Sequence, residues 1–199
     1  MGQYLNALRT NILGLVRFSG RESPKMFWPY VGTVVILLFV SMFAVMFPAF
    51  IQTFAKMQTY AIKHPEDATI DQGPGHYSIT IHGNHPELMP DLGPMIDAIA
   101  VMAVITVILF AAAVARRLHD TGKSGFWGIL PLPFLAFSMS IMPRMFHNFM
   151  SQGQPDFSMF LAVFLSNLAY LACLAIVVIL LVQKGTSGSN RFGAQEESQ

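Results

Sequence analysis

Four long stretches of the chain carry almost no charge, and polar segments of unequal length separate them. No residue from Met26 to Ala55 is charged, well beyond the ~20 apolar positions a helix needs to cross a bilayer. Trp28 and Tyr30 stand at its start, where an interfacial aromatic belt is expected. The first span is therefore placed at 28–50, with Pro48 expected to kink or end it. A second span is expected at 95–115, with Asp97 at its outer end and Arg116 and Arg117 as its stop. A third falls at 125–143, where Pro131, Pro133 and Pro143 predict an irregular or kinked helix, or a re-entrant segment. The fourth, at 158–183, is long enough to tilt and ends at Lys184.

Ahead of the first span, Leu5, Leu8, Ile12 and Leu15 recur at helical spacing, with Asn6, Arg9, Asn11 and Arg17 off that stripe. This predicts an amphipathic helix, lying in the membrane interface or packed on a loop. Phe18-Ser19-Gly20-Arg21 breaks it, and Ser23-Pro24 opens the next helix. Residues 51–94 form the one long polar segment, rich in proline and glycine and carrying Lys56, Lys63, Glu66, Asp67, Asp71, Glu87 and Asp91. Lys56 and Gln58 extend the first helix beyond the membrane; after His64-Pro65 the chain reads as loop. Within it, His76 to His82 alternates like a short strand, half of a hairpin. Residues 144–156 read as a short connection, and 184–199 as an exposed tail. The expectation is an all-α single membrane domain over 1–199, with four transmembrane helices, an N-terminal amphipathic interfacial helix within 1–27 and a long external loop.

Composition supports this: 53% of residues are hydrophobic and 12% charged, against roughly a quarter charged in soluble domains. A net charge of +1 gives no sign of a nucleic-acid partner. The single cysteine, Cys173, lies in an apolar run and excludes an internal disulfide or a thiolate zinc site. The placement of charge says more than its sum. Arg9, Arg17, Arg21 and Lys25 precede the first span; Arg116, Arg117 and Lys123 fall between the second and third; Lys184 and Arg191 follow the fourth. Only Lys56, Lys63 and Arg144 fall on the other side. By the positive-inside rule both termini are expected in the cytoplasm and the long loop outside.

Candidate chemistry gathers between the second and third spans, in Arg116 to Trp127. Gly122-Lys123-Ser124 resembles the end of a phosphate loop, but the pattern needs glycine where Arg117 stands and a strand before it. The fragment reads better as a turn with Gly122 left-handed and Ser124 capping the third span. His119 and Asp120 are adjacent and would point in different directions on a helix. Asp120 has the spacing to pair with Arg117 or Arg116, and both arginines oppose the negative end of the second helix, in reach of anionic lipid head groups. In the long loop, His76, His82 and His85 are candidate metal ligands, with His64, Asp71 and Glu87 nearby. Thr106, Ser138, Ser140, Asn167 and Tyr170 are polar groups inside spans, of the kind that hydrogen-bond between helices. No charged residue lies deep in a span, where coupled transporters generally place one.

Arg117-Leu118-His119-Asp120-Thr121-Gly122-Lys123-Ser124-Gly125-Phe126-Trp127 stands with Phe18-Ser19-Gly20-Arg21 and Phe27-Trp28 upstream, and Gly185-Thr186 and Gly188-Ser189-Asn190-Arg191-Phe192-Gly193 downstream. Together these resemble the bacterial inner-membrane family called domain of unknown function 805. The resemblance implies a multi-pass inner-membrane protein and no reaction or cofactor. The chain departs from it in the length of 51–94, in Glu22 to Met26 and in the ending Ala194-Gln195-Glu196. All three motifs fall on the expected cytoplasmic side, so Arg21, Arg117, His119, Asp120, Lys123, Asn190 and Arg191 are expected to form one polar cluster. The favoured function is a non-enzymatic membrane component binding anionic lipid or a partner protein there. The alternatives are a small transporter or channel, with a polar path through Thr106, Ser138 and Asn167, and a membrane-embedded enzyme using His119 and Asp120.

Overall fold

The structure is a computed structural model that describes residues 2–83, 85–88, 90, 93–152 and 156–194, without the side chains of 86 and 149–152. In chain order the elements are α1 (Gly2–Leu13), α2 (Pro24–Lys63), β1 (Ala68–Gly73), β2 (His76–Ile81), a 3-10 turn (Pro86–Leu88), α3 (Gly93–Asp120), a 3-10 segment (Gly125–Ile129), α4 (Leu132–Gln152) and α5 (Phe157–Val182). Among the described residues four stretches are long and apolar enough to cross a membrane: Pro24–Lys63, Gly93–Asp120, Gly125–Asn148 and Phe157–Val182. The protein is a multi-pass membrane protein. Three helices outrun their expected spans, α3 by a few residues at each end. α2 passes unbroken through Pro48, and α4 passes through Pro143 to Gln152, taking in most of the expected connection at 144–156. Helices in lipid tolerate proline because neighbours resatisfy the freed carbonyls.

The chain forms two compact units. The first comprises Met1–Leu38 and Ala100–Gln199. Its core is narrow: Phe27, Tyr30 and Val34 of α2 meet Ala113 and Leu118 of α3 and Val177 and Leu181 of α5. The Tyr30 hydroxyl donates to the Leu109 carbonyl at 2.8 Å, giving the buried phenol a partner. Ser166 of α5 donates to the Phe134 carbonyl of α4 at 3.0 Å. Most large apolar side chains of the spans, such as Ile36, Ile108 and Ile179, face outward, as a lipid solvent allows.

α1 forms where the amphipathic pattern predicts it, with small and polar residues on its inward face. Ala7, Asn11 and Gly14 are buried, whereas Leu5 and Ile12 of the expected stripe are exposed, along with Leu13 and Val16. The buried positions are small or polar because they approach the arginine described below; the apolar residues are left for the surroundings.

α3 ends in a Schellman motif. The Lys123 N–H bonds back to the Leu118 carbonyl at 2.9 Å and the Gly122 N–H to that of His119 at 3.0 Å. Gly122 has φ +74, in the left-handed region that glycine enters without strain. The Ser124 hydroxyl then accepts from Phe126 N and caps the 3-10 segment. At its start α5 is capped by Asp156, which accepts from Ser158 N at 2.9 Å and Met159 N at 3.2 Å. The Ser158 hydroxyl, which also donates to Asp156 Oδ1 at 2.6 Å, is the largest of the effects that hold that carboxyl below the usual range, followed by the Met159 N–H.

The second unit, Phe39–Ile99, contains the hairpin. β1 and β2 pair antiparallel from Ala68 opposite Ile81 to Gly73 opposite His76, around a Pro74-Gly75 turn. Thus the strand expected from His76 onward exists, and its partner is 68–73. Tyr77 sits edge-on to Phe54 at 5.9 Å, which anchors the hairpin on α2. Asp91 lies outside the described residues.

Candidate functional site

The site grows from two adjacent residues near the end of α3. Neighbouring side chains on a helix diverge, so Arg116 and Arg117 serve different networks, and both are almost wholly buried, at 1% and 0% exposure. The expectation that they meet lipid head groups is corrected: at this depth each guanidinium is surrounded by protein acceptors.

Arg116 joins α1 to the loop before α2. Its Nε donates to Glu22 Oε2 at 2.9 Å, Nη2 to Asn11 Oδ1 at 2.6 Å, and Nη1 to the carbonyls of Gly14 at 2.8 Å and Arg17 at 2.7 Å. Asn11 in turn donates to Glu22 Oε1 at 2.6 Å. The guanidinium thus neutralises a buried carboxylate and satisfies carbonyls just beyond the end of α1, where a cation is favoured.

Arg117 faces the end of α5. Its Nε donates to the Leu181 carbonyl at 2.9 Å, Nη2 to that of Gln183 at 2.6 Å, and Nη1 to Asp120 Oδ2. Asp120, 5% exposed, also accepts from Arg21 Nε at 3.0 Å and Nη2 at 2.9 Å. Arg21 further reaches the carbonyls of Thr186 at 2.6 Å and Gly188 at 2.5 Å. One carboxylate therefore bridges two arginines that tie the loop before α2, the end of α3 and the tail together. Gly185 admits no side chain, because a Cβ would overlap the Asp120 carboxylate.

The tail folds back over this network. Thr186 N donates to the Asp120 carbonyl at 2.8 Å, and Asn190 Nδ2 donates to the His119 carbonyl at 2.9 Å and to Thr186 Oγ1 at 2.8 Å. The Phe192 ring stacks on His119 with centroids 3.9 Å apart, and Arg191 lies over Phe192 at 4.6 Å. Of the residues expected to cluster, Arg21, Arg117 and Asp120 form the buried assembly, with half-buried His119 and Asn190 against it. Lys123 stands beside it on Gln183 Oε1 at 2.6 Å. Arg191 lies outside the ion pairs, touching Gly122 O at 3.5 Å. Sequence reasoning missed Asn11, Glu22, Thr186 and Phe192. The first two lie near the breaks around the Phe18-Ser19-Gly20-Arg21 motif, which was the available signal.

The arrangement bears on chemistry. His119 Nδ1 faces the Gly20 carbonyl at 3.2 Å, and Asp120 is engaged by two arginines, so the two are not an acid–base pair. In the spans, Thr106 bonds the Met102 carbonyl and Asn167 that of Val163, both four residues back on the same helix. Ser138 Oγ is buried without a partner among the described residues. These three groups are not linked into a polar path.

In the second unit His76 pairs with Asp71 at 3.1 Å, His82 with Thr69 at 3.0 Å, and His85 with Glu87 at 3.1 Å and Tyr60 at 3.3 Å. The hydrogen bond to Glu87 is the largest of the effects that raise the His85 pKa. The described residues whose ligand atoms do converge are His64, Glu66 and Asp67, within 4.8 Å of one another.

No curated protein and no solved structure matches the chain. A family model described as a protein of unknown function, DUF805, matches residues 15–194. That range contains Arg21, Glu22, Arg116, Arg117, Asp120 and Asn190, though not Asn11, and the chain belongs to this family.

Proposed function

We propose that this is a non-enzymatic component of the bacterial inner membrane, with both termini cytoplasmic, that binds anionic lipid head groups through exposed cations around the buried network. One observation carries this reading. Glu22 and Asp120, the acidic residues of the loop before α2 and the end of α3, are both buried against arginines. Arg9, Arg17, Lys25, Lys123, Lys184 and Arg191 form no ion pair with a carboxylate among the described residues, and all lie on the segments expected on that side of the membrane. Each basic residue near an anionic surface contributes about 1 kcal/mol. The exposed Leu5, Ile12, Leu13 and Val16 on α1 supply apolar area for the same contact. The buried network is then the scaffold that holds α1, α3, α5 and the tail in register. Its own polar atoms have protein partners, so the exposed cations do the binding.

The test is lipid identification on protein purified gently from native membrane. Phosphatidylglycerol or cardiolipin should be enriched over bulk membrane. Enrichment should fall when Arg9, Arg17, Lys25 and Lys123 are replaced together by Gln. Lipid of bulk composition in the wild type would overturn the reading, and co-purification of a stoichiometric protein in its place would favour a protein partner.

A further inference from the structure

The first unit contains an elongated, partly open cavity of about 860 Å³ between α2, α3, α5 and the segment from Ser124 to Leu135. Its size lies within the ~300–1,000 Å³ typical of small-ligand sites. Its shape is set by helical stripes. On α3 the lining runs on one face from Ala103 to His119, about 24 Å at 1.5 Å per residue, which approaches the ~30 Å thickness of bilayer hydrocarbon. The wall is almost entirely apolar. Thr106 has its hydroxyl engaged by its own helix, and Tyr170 lies at the middle of α5. The other polar members, His119 and Ser124, sit together where the buried network begins. Trp28 also lines that end, and Lys25 and Lys123 are close by in sequence to Trp28 and Ser124.

We propose that this slot holds one acyl chain of an anionic phospholipid whose head group rests on the exposed cations at the His119 end. The inference rests on the head-group reading above and adds a defined chain site to it. Length and apolarity fit a hydrocarbon chain, and cations at one end that form no ion pair with a carboxylate among the described residues fit an anionic head. A second copy is disfavoured as occupant. In a membrane, copies of like orientation bring their basic ends to the same depth, where like charges repel.

The experiment uses Trp28, which lines the slot, as reporter. The full chain carrying Trp127→Phe, which removes the other tryptophan, is reconstituted in phosphatidylcholine bilayers. A low and equal mole fraction of brominated-chain phosphatidylglycerol or brominated-chain phosphatidylcholine is then added. The slot predicts several-fold stronger quenching by the anionic lipid; equal quenching overturns it. Ala111→Phe or Ala103→Phe, each filling the slot at a different height, should abolish the difference, and persistence in both folded variants overturns the slot. A third arm needs no slot variant. Unbrominated phosphatidylglycerol should relieve the quenching and glycerol phosphate should not; relief by glycerol phosphate overturns the chain site. Enrichment of anionic lipid on purification without selective quenching of Trp28 would leave the head-group reading standing and remove the slot alone.

Discussion

Arg116 and Arg117 show why two adjacent arginines are not interchangeable. Each is desolvated and each needs its own carboxylate: Glu22 for the first, Asp120 for the second. Removing one partner of a buried pair leaves an uncompensated charge, a loss of about 3–5 kcal/mol. Asp120→Asn should therefore be strongly destabilising, because Arg21 and Arg117 lose the same anion. Thermal unfolding in detergent should show a large drop, and a near-wild-type midpoint would contradict the network. Ser138→Ala is the contrasting case. Its hydroxyl is buried without a partner among the described residues, so removing it should be neutral or stabilising within about 1 kcal/mol. The pairing of Arg117 with Asp120 was legible because three residues is a helical contact distance. The pairing of Arg116 with Glu22 was not, since nothing local brings residues on separate elements together.

The apolar stripes of α2, α3 and α5 were legible because lipid selects continuous apolar runs, and a charged end marks where each leaves the membrane. α1 was legible as an amphipathic helix, but not which residues it turns inward. Arg116 requires Asn11, together with carbonyls beyond the helix, so a polar face packs on protein and Leu5 and Ile12 stay exposed. Pro48 misled about the extent of α2, because a rule from water was applied to a helix supported by lipid, whereas the irregularity expected of the third span is present as the 3-10 segment ahead of α4, which runs on past Pro143. The hairpin was half legible: β2 alternates, while β1 is polar and is recognised only through its partner.

In that second unit the His85–Glu87 contact gives a pH prediction. The His85 pKa is raised from its ordinary 6.5, chiefly by the hydrogen bond to Glu87. That of Glu87 is lowered from 4.5, first by its own backbone N–H and then by His85. The histidine's contribution is complete below 6.5 and is lost as pH rises through its raised value. The carboxylate's is complete above 4.5 and is lost as pH falls through its lowered value. The contact should therefore be fully formed between those two ordinary values. An NMR titration should give His85 a midpoint above that of a free histidine, and Glu87→Gln should lower it.

Among the described residues of the first unit, the charges divide into two populations with different responses to salt. The arginines bonded to Glu22 and Asp120 are enclosed by protein and are screened little by mobile ions, whereas Arg9, Arg17, Lys25 and Lys184 are exposed and lie within reach of counterions. The Debye length shortens from about 10 Å at 0.1 M salt to about 3 Å at 1 M, so attraction between exposed cations and an anionic surface should fade across that range. Raising salt should accordingly reduce the preference for phosphatidylglycerol over phosphatidylcholine by a large factor, while the unfolding midpoint in neutral detergent changes little. Parallel titrations of lipid preference and thermal stability would check this. If both fell together, stability would depend on the exposed cations. If neither fell, the lipid preference would have to come from apolar contact alone. The expected separation follows from the burial of Glu22 and Asp120 against arginines, with no carboxylate paired to the exposed cations among the described residues.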